Sequence, residues 1–232
     1  MNARDIAVRL PDAGIAFFDL DETITDEDTD SLWASWRSGR DVRGWAERAW
    51  LLKLYGDFRN GRLSIAAYIR YQRFRVGRLS PDEFRAMARD FFEQSGRAHI
   101  YRGAKDLIDA YRAAGRTTVL LTAQNDCIAA PFAEHLGMDA MIANRFQVEG
   151  GRFADAARPY SFGEGKVVLG KNYAESRGFS LSQCAFYGDS IYDAPLLDLV
   201  GYPCAVNPDP MLEARARQMN WPIARFSGAG PA

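Results

Sequence analysis

The sequence predicts an α/β fold, a doubly wound parallel sheet interrupted by a block of helices, and three observations carry that prediction. Short apolar runs of strand length recur at Ile15–Phe18, Thr117–Thr122, Cys184–Gly188 and Pro203–Val206. From Gly103 onward such runs alternate with segments of helical periodicity, as crossover helices between parallel strands require. Between the first run and the second, the chain reads as helix almost without break to about Phe92. With 232 residues, 47% apolar and 25% charged, the chain can bury one substantial core and carry a smaller appended unit.

Taken in order, Ile15–Phe18 is a buried strand that stops at two carboxylates, Asp19 and Asp21. Helices are expected near Thr29–Ser38, Val42–Tyr55, Ile65–Val76 and Pro81–Gln94. The last has a strong start signal: Ser80 as N-cap, Pro81 at the first position and Glu83 three residues on. Gly61 and Gly77 mark the joins. A helix from Gly103 to Ala114, a strand Thr117–Thr122, a helix Ile128–Leu136 and a strand Asp139–Ala143 follow. Phe146–Phe153 reads as a hairpin turning at Gly150-Gly151. Next come a helix from about Gly165 to Ser176, strand Cys184–Gly188, a short helix from Ile191, strand Pro203–Val206, and a terminal helix and strand. Only Ser227 to Ala232 reads as frayed, and the chain has no internal repeat.

Composition narrows the function classes. Cys127, Cys184 and Cys204 make no paired framework and no CxxC, so reduced, buried thiols are expected. Met1 to Asp5 lacks the apolar core of a signal peptide, and no run approaches membrane-spanning length. A cytoplasmic protein with no membrane partner is the expectation. His99 and His135 lack metal-site spacing and are expected as surface or packing residues. The net charge of −1 hides an asymmetry: Trp33 to Arg78 carries eleven Arg or Lys against three acids, with four of the five tryptophans. Such a segment could bind nucleic acid. Helices with solvated arginine faces around a tryptophan core explain it better, with some of the charge drawing an anionic substrate. No nucleic-acid partner is expected, and nothing in the chain signals an oligomeric state.

The chemistry-bearing residues sit where the predicted strands end. In α/β sheets that edge holds the ligands. Asp19 there can bind a metal and attack an electrophile, Asp21 can exchange a proton, and Thr23 adds a hydroxyl. Val119–Thr122 ends in another hydroxyl, Gly163-Glu164-Gly165-Lys166 puts a lysine just inside a helix, and Gly188-Asp189 is followed by Asp193. Each alone has a plain structural reading: a solvated acidic turn, a strand-end threonine, a surface lysine. A nucleotide-binding P-loop is excluded, because Tyr160 and Val167 stand where that motif needs Gly and Ser or Thr. Together, an Asp pair, a Thr, a Lys and a second Asp pair resemble the four motifs of the haloacid dehalogenase superfamily of phosphatases, over Phe17 to about Asn207.

The resemblance implies a Rossmann-like catalytic core, residues 1–25 and 98–232, with a helical type 1 cap at 26–97. The four-helix insertion is most similar to the phosphoserine phosphatase-like branch. It implies Asp19 as nucleophile, forming an aspartyl phosphate, and Asp21 as general acid and base. Thr122, the Ala123 amide and Lys166 would bind the phosphoryl group. Mg²⁺ would be held by Asp19, the backbone carbonyl of Asp21, Asp189 and Asp193, the last also orienting a bound water or Lys166. The expected substrate is a small phosphate ester. Asp28 stands where these phosphatases bind the substrate amine, while the arginine that would clamp a carboxylate falls on Gln72, flanked by Arg70 and Arg73. Tyr192 stands where relatives often carry Asn. An amine anchor without a carboxylate anchor suits histidinol phosphate. Phosphoserine and broad specificity are the alternatives, and transfer to a second alcohol uses the same residues. A phosphorelay receiver domain also combines Asp, Thr and Lys, but its acceptor lies on the third strand and it has no helical insertion.

Overall fold

The computed structural model describes residues 11–40, 42–60, 62–77 and 79–228. The predicted features at Met1–Asp5, Gly61 and beyond Gly228 lie outside them. Six strands form one parallel sheet: β1 (Ile15–Phe18), β2 (Thr117–Asn125), β3 (Ala140–Asn144), β6 (Cys184–Gly188), β7 (Tyr202–Val206) and β8 (Ile223–Ala224), in the order β3-β2-β1-β6-β7-β8. The remaining pair, β4 (Phe146–Glu149) and β5 (Arg152–Ala156), is an antiparallel hairpin. It turns at Gly150 and Gly151, both with positive φ, the backbone that glycine adopts without cost.

This strand order reverses direction between β1 and β6, and a reversal leaves a crevice at the carboxyl edge where the two outgoing loops part. The paired register sets Phe18 beside Leu120 on one side and Tyr187 on the other. Asp19 therefore leaves the sheet from its centre, and its amide still bonds to the Tyr187 carbonyl at 2.9 Å. Both faces of β1 are buried. Phe18 stacks on Tyr187 at 4.8 Å, while Phe17 meets Tyr173 edge-on. The helices over the two faces are α5 (Arg102–Ala113) and α6 (Asp126–His135) on one, α7 (Glu164–Ser176), the single turn α8 (Ala194–Leu197) and α9 (Pro210–Met219) on the other.

The helical block consists of α1 (Thr29–Ser38), α2 (Val42–Arg59), α3 (Ile65–Val76) and α4 (Pro81–Gln94). Asp28 caps α1 by accepting from the Ser31 amide at 2.7 Å. Ser80 and Glu83 form the predicted capping box, an arrangement that satisfies two otherwise unpaired amides. The block is not suspended above the core. Phe92 packs edge-on against Phe132 of α6 at 4.9 Å, and Trp33, Phe84 and Phe91 are fully buried in the same cluster. Truncating an aromatic there, for example Phe91→Ala, costs about 3–5 kcal/mol by removing its contacts and leaving a cavity.

The tryptophan-core expectation holds for Trp33 and fails for Trp45, which is 62% exposed on the outer face of α2. The three cysteines are free and buried as expected. His99 meets Asp26 at 2.7 Å and His135 packs on Phe92, so both are packing residues. Among the described residues no helix is long and apolar enough to cross a membrane.

Candidate active site

Two strand ends and one helix start build the site. Asp19 follows β1, Asp189 follows β6, and Asp193 closes a single 3₁₀ turn at Ile191–Asp193. Gly188 makes that last placement possible: a Cβ there would come within 2.5 Å of Asp193 Oδ2. Lys166 comes from the first turn of α7. Gly165 beside it packs so closely on the loop before it that a Cβ would meet the Tyr160 carbonyl at 1.7 Å. The glycines of that motif thus serve close backbone approach and helix entry, not phosphate cradling.

Lys166 Nζ lies 2.9 Å from Asp19 Oδ1 and 2.7 Å from Asp193 Oδ1, and all three side chains are buried. Oxygens of Asp19, Asp189 and Asp193 lie within 4.8 Å of one another. Burial raises the Asp19 carboxyl to about 7, with Lys166 opposing and Asp193 and Asp21 adding to the rise. Burial and the charges of Asp19 and Asp193 likewise raise Asp189. On Lys166 burial works against the charge, but Asp19 and Asp193 outweigh it and hold the ammonium above the usual lysine range. Three clustered carboxylates sharing one ammonium leave a surplus of negative charge, and Asp193 Oδ2 has no hydrogen-bond donor. A donor set of hard oxygens with that surplus fits a divalent cation such as Mg²⁺.

Asp21 faces the same cavity but stands apart from this trio. Its Oδ1 accepts two hydrogen bonds from Thr29, from the amide at 2.7 Å and from the hydroxyl at 2.5 Å. Burial and the neighbouring Asp30 raise its carboxyl to about 6, with the Thr29 bonds opposing. Such a group can hold or release a proton near neutrality. Thr122 is fully buried within β2, three residues before its end; its Oγ1 accepts from the Gln124 amide at 3.0 Å, which leaves the hydroxyl proton free to donate. The next residue, Ala123, lines the cavity.

The helical block supplies the other wall. Asp28 and Asp30 face in, as do Leu51, Leu54, Tyr55, Phe58 and Tyr68. Burial, with Asp30 and Asp21 nearby, raises Asp28 well above the ordinary carboxylate range. Tyr192 joins the halves. Its hydroxyl accepts from the Leu63 amide at 3.0 Å, and its ring lies against Phe162 at 4.6 Å and Phe58 at 5.2 Å.

The structure therefore brings Asp19, Asp21, Asp28, Ala123, Lys166, Asp189 and Asp193 to one cavity, with Thr122 adjoining it. It does not bring Arg70, Gln72 or Arg73 there. Arg70 and Arg73 are exposed, and Arg73 pairs with Asp155 of the hairpin. Gln72 is buried with its amide on the Ala123 carbonyl at 3.1 Å. These positions lie on faces of α3 turned to solvent or to β2, so the substrate contacts expected of Arg70, Gln72 and Arg73 are not formed at this cavity. Trp33, Trp36 and Tyr71 pack in the core rather than over the cavity, whereas Tyr68 does line it.

Sequence reasoning missed a second set. Arg75, fully buried in α3, bonds Asp30 at 2.6 Å, Glu47 at 2.7 Å, Tyr71 at 2.6 Å and the Gln124 side chain at 3.1 Å. The one available hint was an arginine among the apolar positions of a helix, which the abundance of arginine around it hid.

The haloacid dehalogenase-like hydrolase family model matches residues 16–198. A histidinol-phosphatase of Neisseria meningitidis is 31% identical over 218 residues, 91% of this chain and 98% of that one. A phosphoserine phosphatase of Mycobacterium tuberculosis is 28% identical over 91% of this chain and 70% of its own. Among solved structures, a protein of unknown function from Bordetella pertussis Tohama I has a TM-score of 0.81 at 31% identity, covering 90% of this chain and 97% of that one. A substrate-bound phosphoserine phosphatase has a TM-score of 0.68 at 16% identity, with 93% of each chain covered, a likeness of fold alone. By the family match and these phosphatase relatives, set beside the strand-end carboxylates, the chain belongs to the haloacid dehalogenase-like hydrolases and is a phosphatase.

Proposed function

We propose that the protein is a Mg²⁺-dependent phosphomonoesterase that works through an aspartyl phosphate and prefers small, amine-bearing phosphate esters, with histidinol phosphate first. The observation that carries this reading is the lining of the cavity. Seven carboxylates face it (Asp19, Asp21, Glu22, Asp28, Asp30, Asp189 and Asp193), and Lys166 is the single cationic side chain among the described lining residues. A phosphate dianion enters such a place only beside added positive charge, and a leaving group with an ammonium is favoured over one with a carboxylate. Arg75, which reaches the lining residue Asp30 from behind, is already shared between Asp30 and Glu47. The aromatic and aliphatic wall from Leu51 to Phe58 and Tyr192 suits a flat, partly apolar leaving group such as an imidazole. The Neisseria histidinol-phosphatase, similar along almost the whole chain, supports the same preference.

In this reading residues 1–25 and 98–232 form the catalytic core and 26–97 the cap, in a cytoplasmic enzyme whose reduced thiols suit that compartment. Asp19, Asp189 and Asp193 would hold Mg²⁺, which would supply positive charge beside the phosphoryl oxygens and the approaching Asp19 carboxylate. Asp19 attacks phosphorus, and the bond from phosphorus to the ester oxygen breaks as the new one forms. Asp21 gives its proton to that oxygen, so the alcohol leaves neutral. It then takes a proton from the water that attacks the aspartyl phosphate, releasing inorganic phosphate and restoring Asp19. Lys166 and the Thr122 hydroxyl stabilise the charge on the transferring group. Tyr192, held to Leu63, keeps the cap against the core so that bulk water stays out during the first step.

The test is phosphate release from histidinol phosphate, phosphoserine and a set of sugar and nucleotide monophosphates, with Asp19→Asn as control. A kcat/KM for histidinol phosphate at least tenfold above the others is expected. A preference for phosphoserine would refute the amine-without-carboxylate reading. Equal phosphate release by wild type and Asp19→Asn would remove Asp19 as nucleophile.

A further inference from the structure

We propose that Gln124 is a positioning residue that decides which oxygen of Asp21 handles the proton, and that it does so only when the cap is seated. The inference rests on the phosphomonoesterase reading above. Gln124 is fully buried at the end of β2 and does not line the cavity. Its Oε1 accepts from the Asn125 amide at 2.7 Å and from Arg75 Nη1 at 3.1 Å. Both partners can only donate, so the orientation of the side-chain amide is fixed. Nε2 is thereby the group that reaches Thr29 Oγ1 at 2.8 Å and Asp30 Oδ1 at 2.7 Å.

The consequence passes through one hydroxyl. Thr29 Oγ1 receives a hydrogen bond from Gln124, so its own proton points the other way, to Asp21 Oδ1 at 2.5 Å. The Thr29 amide donates to the same oxygen at 2.7 Å. Two donors on Oδ1 hold that oxygen as an acceptor and leave Oδ2 to carry the proton that the ester oxygen needs. If the amide of Gln124 were absent, the Thr29 hydroxyl could turn and accept, and Asp21 would lose the contact that tells its two oxygens apart.

The main chain of the same residue does a parallel service: the Gln124 amide donates to Thr122 Oγ1 at 3.0 Å and frees the Thr122 proton for the phosphoryl group. One buried glutamine therefore sets the donor direction on both sides of the reacting phosphorus. Of its four side-chain partners, Arg75 of α3 and Thr29 and Asp30 of α1 belong to the cap, and Asn125 does not. With the cap displaced, Gln124 keeps the Asn125 contact alone, and Asp21 is no longer ordered for proton transfer.

Single-turnover alcohol release tests this. Two esters are compared: an alkyl phosphate that wild type turns over, whose alkoxide needs a proton to leave, and p-nitrophenyl phosphate, whose phenolate leaves without one. Thr29→Val keeps shape and the amide donor but removes the hydroxyl, and Gln124→Met removes the amide. Each should slow release from the alkyl ester by roughly tenfold to a hundredfold, within the range of general acid catalysis. Release of p-nitrophenolate should stay within about threefold of wild type by the same argument. Thr29→Ser should restore the alkyl rate. Equal losses on both esters, or no loss on either, would overturn the inference. Should Gln124→Met fail to fold, Thr29→Val decides alone. A wild type that releases neither alcohol would overturn the phosphomonoesterase reading, and this inference with it.

Discussion

Replacing Arg75 with Met keeps most of the side-chain length and removes the charge that joins α1, α2 and α3 of the helical block. Arg75 and Glu47 are fully buried and Asp30 is 2% exposed, so the two ion pairs, at 2.6 and 2.7 Å, are not screened by water. At an effective dielectric constant of about 20, each attraction is worth about 6 kcal/mol, offset by a desolvation cost of several kcal/mol per ion. The variant retains the cost of burying Asp30 and Glu47 and loses the attraction, so about 3–5 kcal/mol of stability should go. For a chain of this size about 2–4 °C of melting temperature accompanies each kcal/mol, so the midpoint should fall by roughly 6–20 °C. Thermal unfolding followed by circular dichroism reads the shift directly. Adding Glu47→Gln to Arg75→Met should recover part of it, because one uncompensated charge is removed. A fall below about 2 °C, where the size scaling makes the loss under 1 kcal/mol, would refute the argument. It would mean that the cluster admits water or that the cap unfolds independently of the rest.

Three further outcomes are expected. Asp28→Asn should raise KM for an amine-bearing ester several-fold more than for a simple alkyl phosphate, measured side by side; equal changes would remove Asp28 as the amine anchor. Tyr192→Phe loses the acceptor for the Leu63 amide, worth about 1 kcal/mol, and KM should rise up to about fivefold with kcat little changed; an unaltered KM would show that the contact does not hold the cap. Treatment with a chelator should abolish turnover, and Mg²⁺ should restore it; full activity after chelation would exclude the trio of Asp19, Asp189 and Asp193 as a metal site needed for catalysis.

The core of the fold was legible because its central strands are short apolar runs, and β1 and β6 carry acids within a few residues of their ends. Asp19, Asp21, Asp189 and Asp193 were readable for that reason, and Lys166 from the glycine-flanked helix start that holds it; the strand order does the rest. Boundaries failed where tertiary contact overrides local preference. The second cap helix continues past Tyr55 through Gly56 to Arg59, since Phe58 finds Tyr55 and Tyr192 as partners. Strand β2 runs on to Asn125 because Asn144 of β3 pairs with it. The cap side of the site was mostly illegible. Gln124 meets Thr29, and Arg75 meets Asp30 and Glu47, across long stretches of sequence, and no local pattern encodes those meetings. Gln72 shows the converse error: its position was placed correctly in α3, but helical phase turned it to the Ala123 carbonyl instead of the substrate.

The way the chain enters and leaves the helical block has an implication for how this enzyme could be rebuilt. Thr25 and Ile100 form an isolated antiparallel bridge, reinforced by hydrogen bonds from the Asp26 amide to the His99 carbonyl and from the Tyr101 amide to the Ile24 carbonyl. The two ends of the insertion thus stand one strand spacing apart, fastened to each other before either reaches the sheet. An inserted unit with adjoining ends closes its own loop at little entropic cost to the host, whatever its length. The same neck could accept a helical block from a relative, or a short turn in its place, without a new path for the backbone. On the proposed division into core and cap, exchange at Thr25 and Ile100 would separate inheritance of the reaction from inheritance of the substrate, and the cost of each swap would fall on Gln124, where the outgoing block leaves its hydrogen bonds behind.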